Sequence, residues 1–203
     1  MSYFYENIYP KLDDKKLDIY LNEFKKELTN ILSNDNVTVN ISQNIKKLLF
    51  IIPELSDMLG FKHNHPHHHL DVWNHTLLAL SMSENDFMIR LVLLLHDIGK
   101  PHSYQDDEVR HFKGHPEVSS KISRNILERL KYDKEFIDEV CYLIEKHDSV
   151  ITKEEIENNY DLEYRRYKIQ YCDALAHHPH KLEKRKEYLE KTKLMFKNKI
   201  KVK

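Results

Sequence analysis

The sequence predicts an all-α bundle. Only three glycines occur in its 203 residues, at 60, 99 and 114. Apolar residues step by three and four almost throughout, the period of one helix face. The single alternating stretch, Val37 to Ile41, is too short to found a sheet.

Taken in order, the first helix is expected over 13–33, where Leu17, Leu21, Phe24, Leu28 and Ile31 share one face. Helices follow over 41–51 and 53–59, the second opened by Pro53, which a first turn tolerates, with Glu54 near the positive end of the dipole. Segments 70–82 and 85–98 are strongly apolar. Pro116 and Glu117 open a helix over 116–131 with Ile122, Ile126 and Leu130 inward. Phe136, Val140 and Ile144 define 133–147, and two more helices are expected over 160–176 and 179–198. Leu189, Met195 and Ile200 would form the inner side of the last.

A chain of this length is expected to form one domain, or one domain with an appended helical piece, with a core that needs no disulfide or structural metal. Cys141 and Cys172 form no spaced framework and read as buried thiols of a reducing compartment. No stretch reaches the ~18 apolar residues of a membrane span, and no basic-then-apolar leader opens the chain, so the expected location is the cytoplasm. The net charge of −1 gives no overall pull toward nucleic acid and no expectation of DNA sequence recognition. Lys181 to Lys203 is the exception, with ten Lys or Arg against three Glu. Such a segment can lie on RNA phosphates, but a solvated amphipathic helix explains it more simply.

The chemistry sits on ionisable groups placed on apolar stripes. A His-Asp pair alone means little: about one is expected by chance, and two occur, His96-Asp97 and His147-Asp148. Position is more telling. In "LVLLLHDIGKP", His96 follows Leu93 by three and Asp97 follows Leu93 by four, which puts both on a surface the leucines commit to the core. His75 in "DVWNHTLLAL", His147 in "VCYLIEKHD" and Asp173 in "YKIQYCDALA" continue apolar stripes in the same way. His115 in "FKGHPEV" is a helix-entry residue. One buried histidine is ordinarily a hydrogen-bonded core residue; six such groups suggest a shared partner. Imidazole and carboxylate together suit divalent first-row metals held between facing helices, and six ligands fit a two-metal centre bridged by Asp97.

The order His75, His96-Asp97, His115, His147, Asp173 resembles the HD-domain metal-dependent phosphohydrolases, in their two-metal form. The series "IIPELSDMLGFKHNHPHHHLDVWNHTLLAL", "LLLHDIGKP", "HFKGHPEVSS" and "DALAHHP" is similar to the C-terminal HD region of bacterial CCA-adding tRNA nucleotidyltransferases, over roughly residues 50–180. The resemblance implies an HD helical bundle over 51–180, an N-terminal helical extension over 1–50 and a basic C-terminal helix over 181–203. Residues 1–50 hold no Gly-Gly or Gly-Ser pair and no Asp-x-Asp, so CCA addition is not expected.

The resulting expectation is a phosphohydrolase acting on phosphomonoester or 2′,3′-cyclic phosphate bonds of nucleotides or RNA ends, by attack of metal-bound hydroxide. Two divalent ions would be held, Mn, Fe, Ni or Co, with Mg or Zn as alternatives. Asp97 and Lys100 would be catalytic. Lys100 lies one turn beyond Asp97, and the family resemblance favours a phosphate contact over simple dipole capping. Gly99 would let the chain leave the helix without crowding that approach. The tract "HNHPHHH" over 63–69 is expected as an entry loop, with His65, His68 and Asp71 against substrate or, more simply, solvated, and His63 dispensable. Trp73 reads as core. Arg166, beside Arg165 and Lys168, would steer a nucleotide phosphate or belong to a solvated face. Rival readings are an HD hydrolase of nucleoside monophosphates or dinucleoside polyphosphates, a non-catalytic RNA-end binding module, and a helical interaction protein.

Overall fold

The computed structural model describes residues 4–64, 70–105 and 110–200. Among these the chain forms α1 (Asp14–Leu32), α2 (Val37–Gln43), α3 (Ile45–Ile51), α4 (Val72–Ser81), α5 (Phe87–Leu95), α6 (His115–Arg129), α7 (Lys134–Glu145), α8 (Lys153–Asn158), α9 (Tyr160–Ala176) and α10 (Pro179–Ile200). No strand occurs among the described residues; two isolated bridges join Lys62 to Asp71 and Gln105 to His111.

The local chemistry explains the boundaries. Asp13, Asp71, Asp86 and Asp133 each cap a helix by accepting from a backbone N–H of the first turn. Two helices escaped the sequence reading. Val37 and Ile41 are one turn apart and both buried, so the brief alternation there is one face of α2. The helix expected over 41–51 is broken at Asn44, whose side-chain amide donates to the Asn40 carbonyl at 2.9 Å. α8 opens on a capping box, Thr152 with Glu155, a signature legible in "TKEE". The segment 53–58 is a 3₁₀ turn, not an α-helix.

α5 is the central element. Ile89 and Leu91 to Leu95 are all fully buried, against α1, α4, α7 and α9. It ends at Leu95, three residues early, and the chain tightens into successive i→i+3 bonds, Ile98 to Leu95 and Lys100 to Asp97. Gly99 is needed for a different reason from the expected one. Its φ of −82° is open to any residue, but a Cβ there would lie 2.5 Å from the Ser119 backbone nitrogen and 2.8 Å from the His115 carbonyl. The Gly99 N–H instead bonds Ser119 Oγ at 2.9 Å. The HD turn is thus pressed directly onto the start of α6.

Residues of α1–α3 share one core with the later helices. Arg90, within the apolar run of α5, is buried and donates to the Asn34 carbonyl at 2.8 Å and to the Leu32 carbonyl, closing the C-terminus of α1. Glu54 and Arg129 form a two-pronged pair, and the guanidinium covers the Tyr5 ring at 4.3 Å. α10 packs on α9 over a second core of Ile151, Ile156, Tyr167, Ala174, Leu189 and Phe196. Its inner stripe is Leu189, Thr192 and Phe196, with Met195 half-buried, and the Ile200 side chain lies outside the described residues.

Gly99→Ala is expected to destabilise the fold by about 1–3 kcal/mol through overpacking against a backbone that cannot yield. Urea denaturation measures this, and an unchanged midpoint would show that α6 moves freely away from the turn.

Candidate metal centre

Three helix ends and the flanks of two further helices converge on one point. α5 delivers His96 and Asp97 just past its last residue, and α7 delivers His147 and Asp148 in the same way. α6 begins with His115, lifted into place by Gly114 at φ +76°. α4 and α9 supply His75 and Asp173 from their flanks. Three sets have ligand atoms within 4.8 Å of one another: His75, His96 and Asp173; His96, Asp97 and His147; His115, His147 and Asp148. The structure therefore brings the six sequence-predicted ligand candidates together and adds Asp148.

The orientation of the rings follows from their outer nitrogens. Nδ1 of His96 lies 2.7 Å from the Leu93 carbonyl, that of His147 2.6 Å from Ile144, that of His115 2.9 Å from Phe112 and that of His75 3.2 Å from Ala176. A carbonyl only accepts, so Nδ1 carries a proton in each ring and Nε2 turns inward. The consequence is a crowd of acceptors. His115 Nε2 and His147 Nε2 stand 3.3 Å apart. Asp97 Oδ2 is 3.3 Å from His96 Nε2 and 3.7 Å from His75 Nε2, while Asp97 Oδ1 is 3.3 Å from His115 Nε2. Asp173 Oδ1 is 2.9 Å from His75 Nε2.

This donor set fits a divalent cation. His96 Nε2 and Asp97 Oδ1 are buried and make no hydrogen bond, an arrangement costing several kcal/mol unless a positive charge meets it. Protons answer the same demand. Burial pushes the His96 imidazole down, but the Asp97 and Asp173 carboxylates more than reverse this and hold it up at about 10. Burial likewise works against ionised Asp97, and His96 and Lys100 overcome it, holding the carboxyl well below the usual range. Fixed imidazoles with carbonyl-bonded outer nitrogens and mixed carboxylates are the ligand chemistry of first-row divalent metals.

A ring of cations surrounds the acceptors. Lys100 is buried, with Nζ 2.7 Å from Asp97 Oδ2 and 3.2 Å from His63 Nε2. Arg185, on the helix expected to be a solvated basic tail, donates to Asp173 Oδ2 at 2.8 Å and to Asp148 Oδ1 at 3.3 Å. Both line a cavity of about 510 Å³ that also exposes Asp97, His115, His147 and Asp173, with Arg110 and Lys113 on its rim.

Several expectations need correction. His63 is not part of a dispensable loop; it is buried, anchored through Nδ1 to the Leu70 carbonyl at 2.9 Å, and holds the Lys100 ammonium. Arg166 does not reach the cavity. Its side chain is fully buried, paired with Glu163 at 2.9 Å and donating to the Ser149 and Val150 carbonyls. Asp71 caps α4, accepting from Asn74 N at 2.7 Å and Asn74 Nδ2 at 2.9 Å, and is absent from the lining. His65 and His68 lie outside the described residues. The missed residues carried one signal. Both His-Asp pairs directly follow a helix, and in both the histidine folds back three residues onto its own last turn.

The HD domain family matches residues 67–195. The chain belongs to that family, whose members bind divalent metals and form a metal-dependent hydrolase superfamily. It is 33% identical over 133 residues to a CC-adding tRNA nucleotidyltransferase of Thermus thermophilus, covering 61% of this chain and 30% of that protein. It is 33% identical over 104 residues to an A-adding tRNA nucleotidyltransferase of Deinococcus radiodurans, covering 47% and 24%. A multifunctional CCA protein of Pseudomonas fluorescens is 27% identical over 116 residues, covering 54% and 28%. The chain thus spans less than a third of each of these relatives. Among the described residues, no helix is long and apolar enough to cross a membrane.

Two histidines beside the centre, His63 and His177, titrate in a defined direction. Burial, with Lys100 beside it, lowers the His63 imidazole to about 3. Burial lowers His177 to about 4, with Arg185 adding to the effect against the opposing Asp173 carboxylate. In chelator-treated protein the unfolded chain takes up protons on both rings near pH 6.5, while the folded chain does so only near pH 4 and below. Stability therefore falls as pH drops through that window. Denaturation midpoints between pH 7 and 4 should show this slope, and His63→Gln and His177→Gln should each flatten it.

Proposed function

We propose that the protein is a phosphohydrolase cleaving phosphomonoester or 2′,3′-cyclic phosphate bonds of nucleotides or RNA ends. One observation carries the reading: inward-facing acceptors at the floor of an open cavity are surrounded by Lys100, Arg185 and Arg110. The floor attracts cations and the rim attracts an anion with several oxygens, which is the charge pattern a metal-assisted phosphoester cleavage requires. The names of two of the partial relatives, both tRNA nucleotidyltransferases, favour nucleotides and RNA ends as the substrate class.

In this reading His75, His96, Asp97 and Asp173 would hold one divalent ion, and His115, His147 and Asp148 a second. Asp97 would be shared, since its two oxygens face the two groups of residues separately. When bound, such ions acidify a water toward neutral pKa and neutralise charge on the phosphate. Mn, Fe, Ni or Co suit this mixed set best, and Mg or Zn are weaker matches. The residues of the chain do the rest. The helix-anchored imidazoles fix the positions of attack without reorganising. Lys100, held between Asp97 and His63, presents an ammonium to a phosphate oxygen, and Arg185 offers a planar fork beside Asp173 and Asp148.

Asp97→Ala should abolish phosphoester turnover and at least half of the bound metal, measured by elemental analysis of protein purified without a histidine tag. His63→Gln should retain the metal but lower kcat/KM by about 10- to 100-fold, because the Lys100 ammonium loses its second anchor. A panel of 2′,3′-cyclic nucleotides, nucleoside monophosphates and dinucleoside polyphosphates with Mn, Fe, Ni and Co identifies the ester. Loaded protein that turned over none of them, yet bound RNA ends with steep salt dependence, would establish the binding-module reading instead.

A further inference from the structure

A second cavity, of about 280 Å³, adjoins the metal centre between α9, α10 and the segment 148–151. His147, Asp148, Ser149 and Arg185 line both spaces, and the Arg185–Asp148 pair stands between them. The character changes across it. Beyond that pair the walls are Val150, Ala174, Leu189 and the Tyr188 ring. The polar atoms there are already committed: Tyr188 Oη donates to Gln170 Oε1 at 3.0 Å and accepts from the Ile151 N–H at 3.0 Å, and Gln170 Nε2 donates to the Ser149 carbonyl at 2.7 Å.

The outer wall is built to stay in place. Residues 148–150 are exposed, and Val150 keeps 67% of its surface in solvent. Yet the Ser149 and Val150 carbonyls both accept from Arg166, at 3.0 and 2.9 Å. A fully buried arginine is thus spent on the backbone of a surface loop. Such an investment makes sense where the loop must hold a preformed wall.

On the reading of the centre as a phosphoesterase, we propose that this second cavity is a subsite for a flat aromatic ring attached to the scissile phosphate, namely the base of a nucleotide or of a terminal RNA residue. Its volume lies just below the ~300–1,000 Å³ of ligand sites, which suits one ring system rather than a whole nucleotide. The phosphate occupies the first cavity, the ring passes the Arg185 guanidinium, which stacks on aromatic faces, and the apolar walls close around it. Because the polar wall atoms are spent, the subsite selects a base over no base and does not discriminate strongly among bases.

The test pairs esters that share a phosphate and differ in the base: adenosine 2′,3′-cyclic phosphate against glycerol 1,2-cyclic phosphate, and 3′-AMP against glycerol phosphate. The base-bearing member should be favoured about tenfold or more in kcat/KM. Adenosine alone, titrated calorimetrically, should bind the wild-type protein, and Val150→Asp, at an exposed position that leaves the core intact, should weaken that binding about tenfold. Equal rates within each pair, or octyl phosphate cleaved as well as 3′-AMP, would overturn the subsite while leaving the hydrolase standing. If no ester reacts, the hydrolase reading falls. Adenosine binding and its loss in Val150→Asp then decide the subsite alone.

Discussion

The structure depends on a geometric constraint: four imidazoles spend their outer N–H on backbone carbonyls and so turn four Nε2 atoms toward the same small volume. Rings fixed in this way cannot rotate to relieve the crowding without giving up that hydrogen bond. Two buried carboxylates sharpen the conflict. The folded chain can resolve it only with positive charge, and the fold supplies positive charge from one side in Lys100 and from the other in Arg185. Metal affinity is therefore a property of helix termination in this protein, and not of a flexible loop that closes on an ion.

That origin explains why the site and the core are one object. The carbonyl that holds His96 belongs to Leu93, and the one that holds His147 belongs to Ile144, both fully buried. A helix end leaves carbonyls without partners, and a histidine three residues on satisfies one while aiming its other nitrogen outward from the helix axis. The same device at α5 and α7 gives two His-Asp corners facing each other. Gly99 allows the first corner to sit against α6, which brings His115 into the same space.

Much of this was legible in the sequence, and the failures have physical causes. Helices and core were read from periodicity alone, because Leu17 to Ile31 and Val92 to Leu95 each commit a face to burial. His75, His96, Asp97, His147 and Asp173 stood out as charged or polar groups on apolar stripes, and His115 as a helix-entry residue. Asp148 did not, since it lies beyond the helix on no stripe and keeps 38% of its side chain exposed. His63 was hidden in a histidine-rich tract, where neighbours of the same type mask the one that is buried. Arg185 looked like one of many cations on a basic helix, and only the packing of Leu189 and Phe196 on α9 decides that it turns toward Asp173. Arg166 misled in the opposite way. It lies on the face of Asp173, two turns upstream, but the chain folds residues 149–150 over it.

The two cavities give the loop after α7 a double assignment. Asp148 faces the cluster of acceptors through Oδ2 and the Arg185 guanidinium through Oδ1. The next two residues, Ser149 and Val150, are held by Arg166 and Gln170 from beneath. A ligand that bridges both cavities is thus measured against a single rigid segment of three residues, and the distance from charged floor to apolar wall cannot vary independently of the metal-binding geometry. Recognition by such a site is a matter of span. An anion joined to a ring at the right separation meets both environments at once, and an anion without a ring forfeits the apolar part of its binding.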